Sequence, residues 1–191
     1  SAPGAARFEV IPNPVPPALP VGRQFGSGAG RHRLVACGRL VPEKQFRELI
    51  EHFVRISRER ADWDLWIWGD GPEESELRRT IESLGLSGRV FIQGRTDDIW
   101  GEMLRADIFV LVSAFEGFPN SLLEAMALGV PSVAFDCDFG PREITGDGKD
   151  AMLVPANDWP ALENVLRELF DDPASRAALG KKGAAAVREK F

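Results

Sequence analysis

The strongest constraint on the fold is the alternation of short apolar segments with amphipathic ones. Residues 107–112 (DIFVLV) form an almost wholly apolar run, and residues 131–135 (PSVAF) form a second one. Such runs are typical of strands that are buried on both faces of a parallel sheet. Between them, residues 120–128 predict a helix that Gly129 and Pro131 bring to an end. The unit is therefore a strand, a helix and a strand, with the length of a parallel crossover.

The same alternation runs through the rest of the chain. Apolar segments predict further strands at 33–38, 64–68, 89–94 and 150–155, and 137–144 (CDFGPREI) is interpreted as a loop. Helices are predicted at 43–60, 73–84 and 97–104, and after the candidate caps Asp158 and Asp172. Strands that alternate with helices at crossover spacing predict an α/β, Rossmann-like three-layer domain. Its sheet is mostly parallel and flanked by helices on both faces.

The first thirty residues do not fit this pattern. A short strand is possible at 8–11, but the proline-rich segment 12–20 cannot continue a sheet, and 26–30 (GSGAG) lacks the preceding strand that a dinucleotide-binding turn requires. We therefore predict that residues 1–30 are a strand and connector belonging to a preceding N-terminal domain, and that residues 31–191 are the Rossmann-like domain.

Composition excludes several functions. A net charge of -6 argues against nucleic-acid binding, which requires clustered lysine and arginine. No apolar run is long enough to be a transmembrane segment, so we expect a cytoplasmic protein. The two histidines and two cysteines lack metal-ligand spacing, and Cys37 and Cys137 are interpreted as reduced packing residues.

Two cations follow the first strand of the regular pattern. Arg39 and Lys44 lie in residues 38–44 (GRLVPEK), where a loop would face a ligand cleft. A guanidinium and a nearby ammonium suit a diphosphate, which offers several charged oxygens. The alternative is that both are solvated surface cations beside Glu43.

A second candidate site opens the helix at 120–128. Ser121 and Glu124 have the Ser-x-x-Glu spacing of a capping box, which alone would explain both residues. Alternatively, the helix N-terminus receives a phosphate and Glu124 accepts hydrogen bonds from ribose hydroxyls. The loop before the helix contains Glu116 and Gly117, and its backbone amides are candidate donors to sugar hydroxyls or phosphate oxygens.

Taken together, these residues resemble the C-terminal, nucleotide-sugar-binding domain of retaining GT-B glycosyltransferases of family four, also called group one. The most specific feature is the Glu-x7-Glu motif, which Glu116 and Glu124 match. The segments GRLVPEK (38–44), GDGP (69–72) and GRTDDI (94–99) follow the order and spacing of that family. The resemblance covers the chain from Phe8 to its end.

The resemblance implies a role for each residue. Arg39 and Lys44 would bind the donor diphosphate and stabilise the leaving nucleoside diphosphate. Glu116 would contact the donor sugar and is, with these two cations, a candidate catalytic residue, whereas Glu124 would bind the ribose. The remaining residues would contribute mainly backbone contacts: Gly38 near the phosphates, Arg95 and Thr96 at the base, Gly117, Phe118 and Asn120 at the sugar, and Ser121 and Leu122 at the distal phosphate.

The implied reaction is transfer of a hexose or N-acetylhexosamine, with retention of configuration, from a nucleoside-diphosphate sugar to a glycan or lipid-linked acceptor. The resemblance favours a UDP-sugar over a GDP-sugar and requires no metal. The acceptor would bind through the N-terminal domain, at the inner face of the membrane, and residues 1–191 alone would bind donor without turnover. A non-catalytic GT-B-like assembly module and a nucleotide-sugar epimerase are the alternatives.

Overall fold

The computed structural model describes residues 30–191, which form one six-stranded sheet with helices on both faces. The predicted strand at 8–11, the proline-rich connector and nearly all of the glycine-rich segment 26–30 lie outside the described residues. The six strands are β1 His32–Cys37, β2 Trp63–Trp68, β3 Val90–Ile92, β4 Ile108–Leu111, β5 Ser132–Asp136 and β6 Met152–Pro155.

Seven α-helices connect or follow these strands. They are α1 Phe46–Ile56, α2 Glu74–Ser83, α3 Ile99–Leu104, α4 Asn120–Ala127, α5 Pro141–Ile144, α6 Trp159–Asp171 and α7 Pro173–Lys190. The carboxylates of Asp158 and Asp172 accept hydrogen bonds from the first amides of α6 and α7, which confirms the predicted caps.

All neighbouring strands are parallel, and their order is β3-β2-β1-β4-β5-β6. The chain builds outward from β1 in one direction through β2 and β3, and then resumes on the other side of β1 with β4. This order confirms the Rossmann-like class. It also creates a crevice between the carboxyl ends of β1 and β4, where the direction of winding reverses.

Both faces of the sheet are buried, as the apolar runs predict. Along β4, Ile108 and Val110 pack with α1 and α6 on one face, whereas Phe109 and Leu111 pack with α3 and α4 on the other. The first face also buries Trp63, whose ring stacks on Phe170 with 3.8 Å between centroids. Helices on both faces therefore hold the carboxyl edge in place.

Two local predictions are wrong. Helix α1 begins at Phe46 instead of residue 43, because Pro42–Lys44 forms a 3-10 turn and Gln45 adopts a left-handed conformation with φ 52°. The segment 137–144 is not entirely a loop, since Pro141–Ile144 forms α5 with proline in its first turn.

The GDGP turn (69–72) packs against the loop after β1, and this contact requires glycine at position 69. The amides of Gly38 and Leu40 donate to the carbonyls of Trp68 and Asp70 at 3.0 and 2.8 Å, so the loops after β1 and β2 lie against each other. A Cβ on Gly69 would lie 1.9 Å from the carbonyl oxygen of Gly38. Gly69 also has φ 140°, a conformation that side chains rarely adopt. The contact fixes the segment that presents Arg39.

We expect Gly69→Ala to destabilise the fold by about 2–4 kcal/mol, because the new methyl group must displace the Gly38 backbone. The measurement is urea unfolding followed by tryptophan fluorescence. Gly88→Ala is the matched control, since a Cβ there meets no atom within 4 Å. Equal unfolding midpoints for the two variants would contradict the proposed contact.

Candidate functional site

The candidate site lies at the carboxyl ends of β1 and β4, on either side of the crevice. A backbone hydrogen bond of 2.8 Å from the Ala114 amide to the Glu43 carbonyl joins the two loops directly. Parallel strands end at the same edge, so the predicted residues after β1 and β4 are brought together there. Rossmann-like domains bind their ligands in such a crevice.

The centre of the crevice is an ion pair between Lys44 and Glu116. The Lys44 Nζ lies 2.6 Å from Glu116 Oε1, and the Ser113 hydroxyl donates to the same oxygen at 2.6 Å. Glu116 is buried, with 8% of its surface exposed, so its charge requires these partners. Neither contact uses Oε2. The sequence predicted both members of the pair as site residues but not their contact.

The start of α4 differs from a capping box. Pro119 occupies the N-cap position, and no side chain caps the helix. Ser121 instead lies in the first turn, where its side chain hydrogen-bonds to Cys37. The capping-box interpretation is therefore wrong, and Ser121 and Glu124 are left without a helix-capping function. The Leu122 amide, a predicted phosphate donor, donates to the Pro119 carbonyl at 3.0 Å.

Glu124 lies one turn into α4 and is half-buried. Burial raises the pKa of its carboxyl group, and a hydrogen bond from the Trp100 side chain partly opposes this rise. Trp100 belongs to α3, so the carboxylate lies near a neighbouring helix. A partly desolvated carboxylate is a strong acceptor for hydroxyl donors.

Cys37, at the end of β1, lies within reach of both glutamates. Burial raises the pKa of its thiol to about 12, with a contribution from Glu124 and Glu116 and an opposing one from Ser121 and Lys44. Burial likewise raises the pKa of the Cys137 thiol to about 11. Both cysteines are unpaired thiols, as predicted for packing residues.

A cleft of about 310 Å³ lies beside the crevice, on the side of β2 and β3. Its walls include Gly38 and Arg39 from the β1 loop and Gly94, Arg95 and Thr96 from the loop after β3. Arg39 and Arg95 are exposed. Arg39 therefore lines the cleft, whereas Lys44 pairs with Glu116 at the crevice.

The remaining loop residues lie on the opposite side of the crevice. Gly117 and Phe118 border a larger cavity at the end of β5, and Asn120 begins α4. Both histidines lie elsewhere: His32 begins β1 at the opposite edge of the sheet, and His52 packs on Trp159 of α6. Neither histidine contributes to the crevice.

Sequence reasoning missed three supporting residues, which are Ser113, Cys37 and Trp100. Ser113 follows the apolar run 108–112 directly, and this polar residue at a buried strand end is the only local signal for its role. The contact between Trp100 and Glu124 joins α3 to α4 and has no sequence spacing that would reveal it.

Two findings bear on cofactors and membranes. No group of three or more His, Cys, Asp and Glu side chains within residues 30–191 is arranged to hold a metal ion. In the same part of the chain, no helix has the length and hydropathy needed to cross a membrane.

The geometry defines an α/β domain with a polar, charge-paired site at the reversal point of a parallel sheet. Comparison with known proteins gives the family. Residues 23–186 match the family described as glycosyl transferases group 1, and the chain belongs to this family. Its six-stranded sheet matches the fold of GT-B glycosyltransferases.

Two curated relatives and one solved structure are similar to the chain. An exopolysaccharide phosphotransferase of Streptomyces coelicolor is 39% identical over 93% of this chain and 19% of its own length. The lipopolysaccharide core biosynthesis glycosyltransferase LpsD of Rhizobium meliloti is 34% identical over 92% of this chain and 50% of its own. A Staphylococcus aureus TarM variant, solved with fondaparinux, α-GlcNAc-glycerol and UDP, superposes with a TM-score of 0.82 and 25% identity, covering 96% of this chain and 35% of that one. The chain thus spans half or less of the length of these proteins.

The thiols test how well the fold shields Cys37, which is half-buried, and Cys137, which is buried. Because both thiol pKa values are raised well above 9, the reactive thiolate is scarce at neutral pH. We expect Ellman's reagent at about pH 8 to modify the native chain at least 100-fold more slowly than the chain in guanidinium chloride, to order of magnitude. Cys37→Ser isolates Cys137 as a control. A thiol that reacts at the unfolded rate in the native chain would contradict its burial.

Proposed function

We propose that residues 30–191 bind a nucleoside-diphosphate sugar across the crevice, as the donor-binding part of a retaining glycosyltransferase. The observation that carries the proposal is the position of the Lys44–Glu116 pair between the Arg39 cleft and the first turn of α4. The transferred group is a hexose or N-acetylhexosamine, and the acceptor is a glycan or a lipid-linked glycan.

Positive charge for the diphosphate comes from three sources in this proposal. Arg39 contributes an exposed guanidinium at the cleft, and Lys44 contributes its ammonium once a phosphate competes with Glu116 for it. The N-terminus of α4 adds the positive end of the helix dipole, and the Asn120 amide there already donates to the Phe118 carbonyl at 2.9 Å. The Ser121 amide is the first candidate there, because the Leu122 amide already donates to Pro119. These groups would stabilise the negative charge of the leaving group without a metal ion.

The nucleoside occupies the side of the crevice toward β2 and β3. Glu124 accepts hydrogen bonds from both ribose hydroxyls, since its half-buried carboxylate has two acceptor oxygens. The base enters the cleft of about 310 Å³ and meets Thr96 and the backbone near Arg95. The presence of UDP in the similar TarM variant supports a uracil nucleotide over a guanine nucleotide.

The donor sugar lies over the Glu116 loop. Glu116 Oε2, which neither Lys44 nor Ser113 contacts, accepts a sugar hydroxyl, and the backbone of Gly117, Phe118 and Asn120 surrounds the ring. We assign no nucleophile to the protein. Because neither histidine lies at the crevice, we further propose that residues 30–191 bind donor but need additional residues from elsewhere in the protein for turnover.

Calorimetric titration with UDP, GDP and ADP tests the donor site. We expect saturable binding of UDP, about tenfold weaker in Arg39→Ala and in Glu124→Gln, because each variant removes a charge-assisted hydrogen bond. Arg58→Ala and Glu82→Gln are matched controls, since both side chains are exposed outside the crevice. No binding of any diphosphate, or equal affinity in all variants, would favour a non-catalytic module.

Glu116→Gln separates nucleotide binding from sugar binding. Without its counterion, Lys44 is free to contact phosphate, so UDP should bind as well as in the parent chain or about threefold more tightly. The UDP-sugar should bind more weakly, because the acceptor for the sugar hydroxyl has lost its charge. The measurement is parallel titration of UDP and of UDP-glucose or UDP-N-acetylglucosamine. Equal losses for UDP and UDP-sugar would contradict this division of roles.

A further inference from the structure

A cavity of about 810 Å³ lies on the other side of the Glu116 loop, at the carboxyl end of β5. Gly117 and Phe118 form one wall, and the loop between β5 and α5 forms the other. Phe139 stands at the cavity with 70% of its surface exposed. Phe115 is 55% exposed, and its ring meets that of Phe139 edge-on with 6.3 Å between centroids. The two exposed aromatic side chains in contact form an apolar surface at the cavity.

Backbone contacts join the two loops that carry the aromatic pair, beside Glu116. Phe115 and Asp138 form an isolated parallel bridge between the two loops. Gly140, with φ 96°, approaches the same loop so closely that a Cβ would lie 2.4 Å from Pro119 Cδ. The loop that carries Phe139 is therefore fixed to the loop that carries Glu116. A ligand on the ring of Phe139 would lie next to the proposed donor sugar.

The polar lining of the cavity is mainly acidic. Asp138, Glu143 and Asp147 are exposed carboxylates, whereas Asp136 is engaged by the guanidinium of Arg142. Four carboxylates against one guanidinium disfavour phosphate or other anionic groups. The same oxygens accept hydrogen bonds from hydroxyl groups. An aromatic face beside several acceptors suits a neutral sugar ring, which has an apolar C–H face and a rim of hydroxyls.

The order of the strands places this cavity beyond the reacting end of the donor. The base cleft lies at β1, β2 and β3, the Lys44–Glu116 pair lies between β1 and β4, and the cavity lies at β5. We propose that the cavity is an acceptor subsite that binds a neutral pyranose against Phe139, with Asp138 and Glu143 accepting its hydroxyl hydrogens. The inference rests on the proposed function, which places the nucleoside toward β2 and β3 and the donor sugar over the Glu116 loop.

The test is titration of the 191-residue chain with methyl α-glucopyranoside, monitored by ¹H–¹⁵N NMR spectra. We expect chemical-shift changes at Phe139 and Gly140. Phe139→Ala should weaken binding by about fivefold or more, and Phe139→Tyr should retain it because the ring face remains. Glucose 6-phosphate should bind more weakly than the neutral glycoside. Leu84→Ala is the control, since Leu84 is an exposed apolar residue on α2's C-terminal cap, outside the cavity.

Titration with UDP in the same samples separates the two proposals. Suppose that UDP binds but the glycoside causes no chemical-shift change at Phe139, or binds Phe139→Ala as tightly as the parent chain. Either result overturns the acceptor subsite and leaves the donor site standing. Tighter binding of the 6-phosphate also overturns it. Glycoside binding at Phe139 without any UDP binding supports a sugar site at the cavity and counts against the donor proposal. Thermal melting of each variant shows whether a lost signal reflects unfolding.

Discussion

The geometry of the crevice depends on one ion pair, Lys44 with Glu116, formed across the reversal point of the sheet. The pair joins the loop after β1 to the loop after β4, and the backbone contact of Ala114 with Glu43 reinforces the same connection. A parallel sheet supplies no hydrogen bonds beyond its strand ends, so these contacts determine how far apart the two loops lie. The distance between the proposed phosphate and sugar contacts follows from it.

The burial of Glu116 explains why this pair is both stable and available to a ligand. A carboxylate with 8% exposure is costly without partners, and Lys44 and Ser113 supply them. Lys44 is more exposed than Glu116, so the phosphate of the proposed donor would reach the ammonium without entering the core. Binding would then exchange one anionic partner of Lys44 for another. Glu116 would keep the Ser113 hydroxyl as a donor, and a sugar hydroxyl would replace its lost contact with Lys44.

Sequence patterns were sufficient for the fold because burial in a parallel sheet is a local signal. Runs such as 108–112 are apolar throughout since both faces are covered, and Asp158 and Asp172 cap helices through contacts a few residues away. The start of α1 was less predictable, because glutamine has no marked preference for the left-handed conformation that Gln45 adopts. Short-range spacing therefore predicts elements well and their exact ends poorly.

The sequence predicted the residues of the candidate site but not the contacts between them. Spacing alone gave Ser121 and Glu124 a shared capping function, and the structure gives them separate partners in Cys37 and Trp100. Those partners lie on β1 and α3, far away in the chain, so no local pattern contains them. The cavity at Phe139 likewise depends on a contact between separate segments of the chain. It exists because the loops after β4 and β5 pack against each other through Pro119 and Gly140.

The order of sites along the carboxyl edge follows from the order of strands. Winding outward from β1 puts the cleft that contains Thr96 on one side and the cavity that contains Phe139 on the other. An elongated ligand that crosses the reversal point must therefore direct its two ends toward chemically different surroundings. The end toward β3 meets the exposed side chains of Arg39, Arg95 and Asp70, and the end toward β5 meets carboxylates and aromatic rings. In the proposed binding mode, the excess of carboxylates at the β5 end favours the neutral sugar there and the charged diphosphate nearer Lys44.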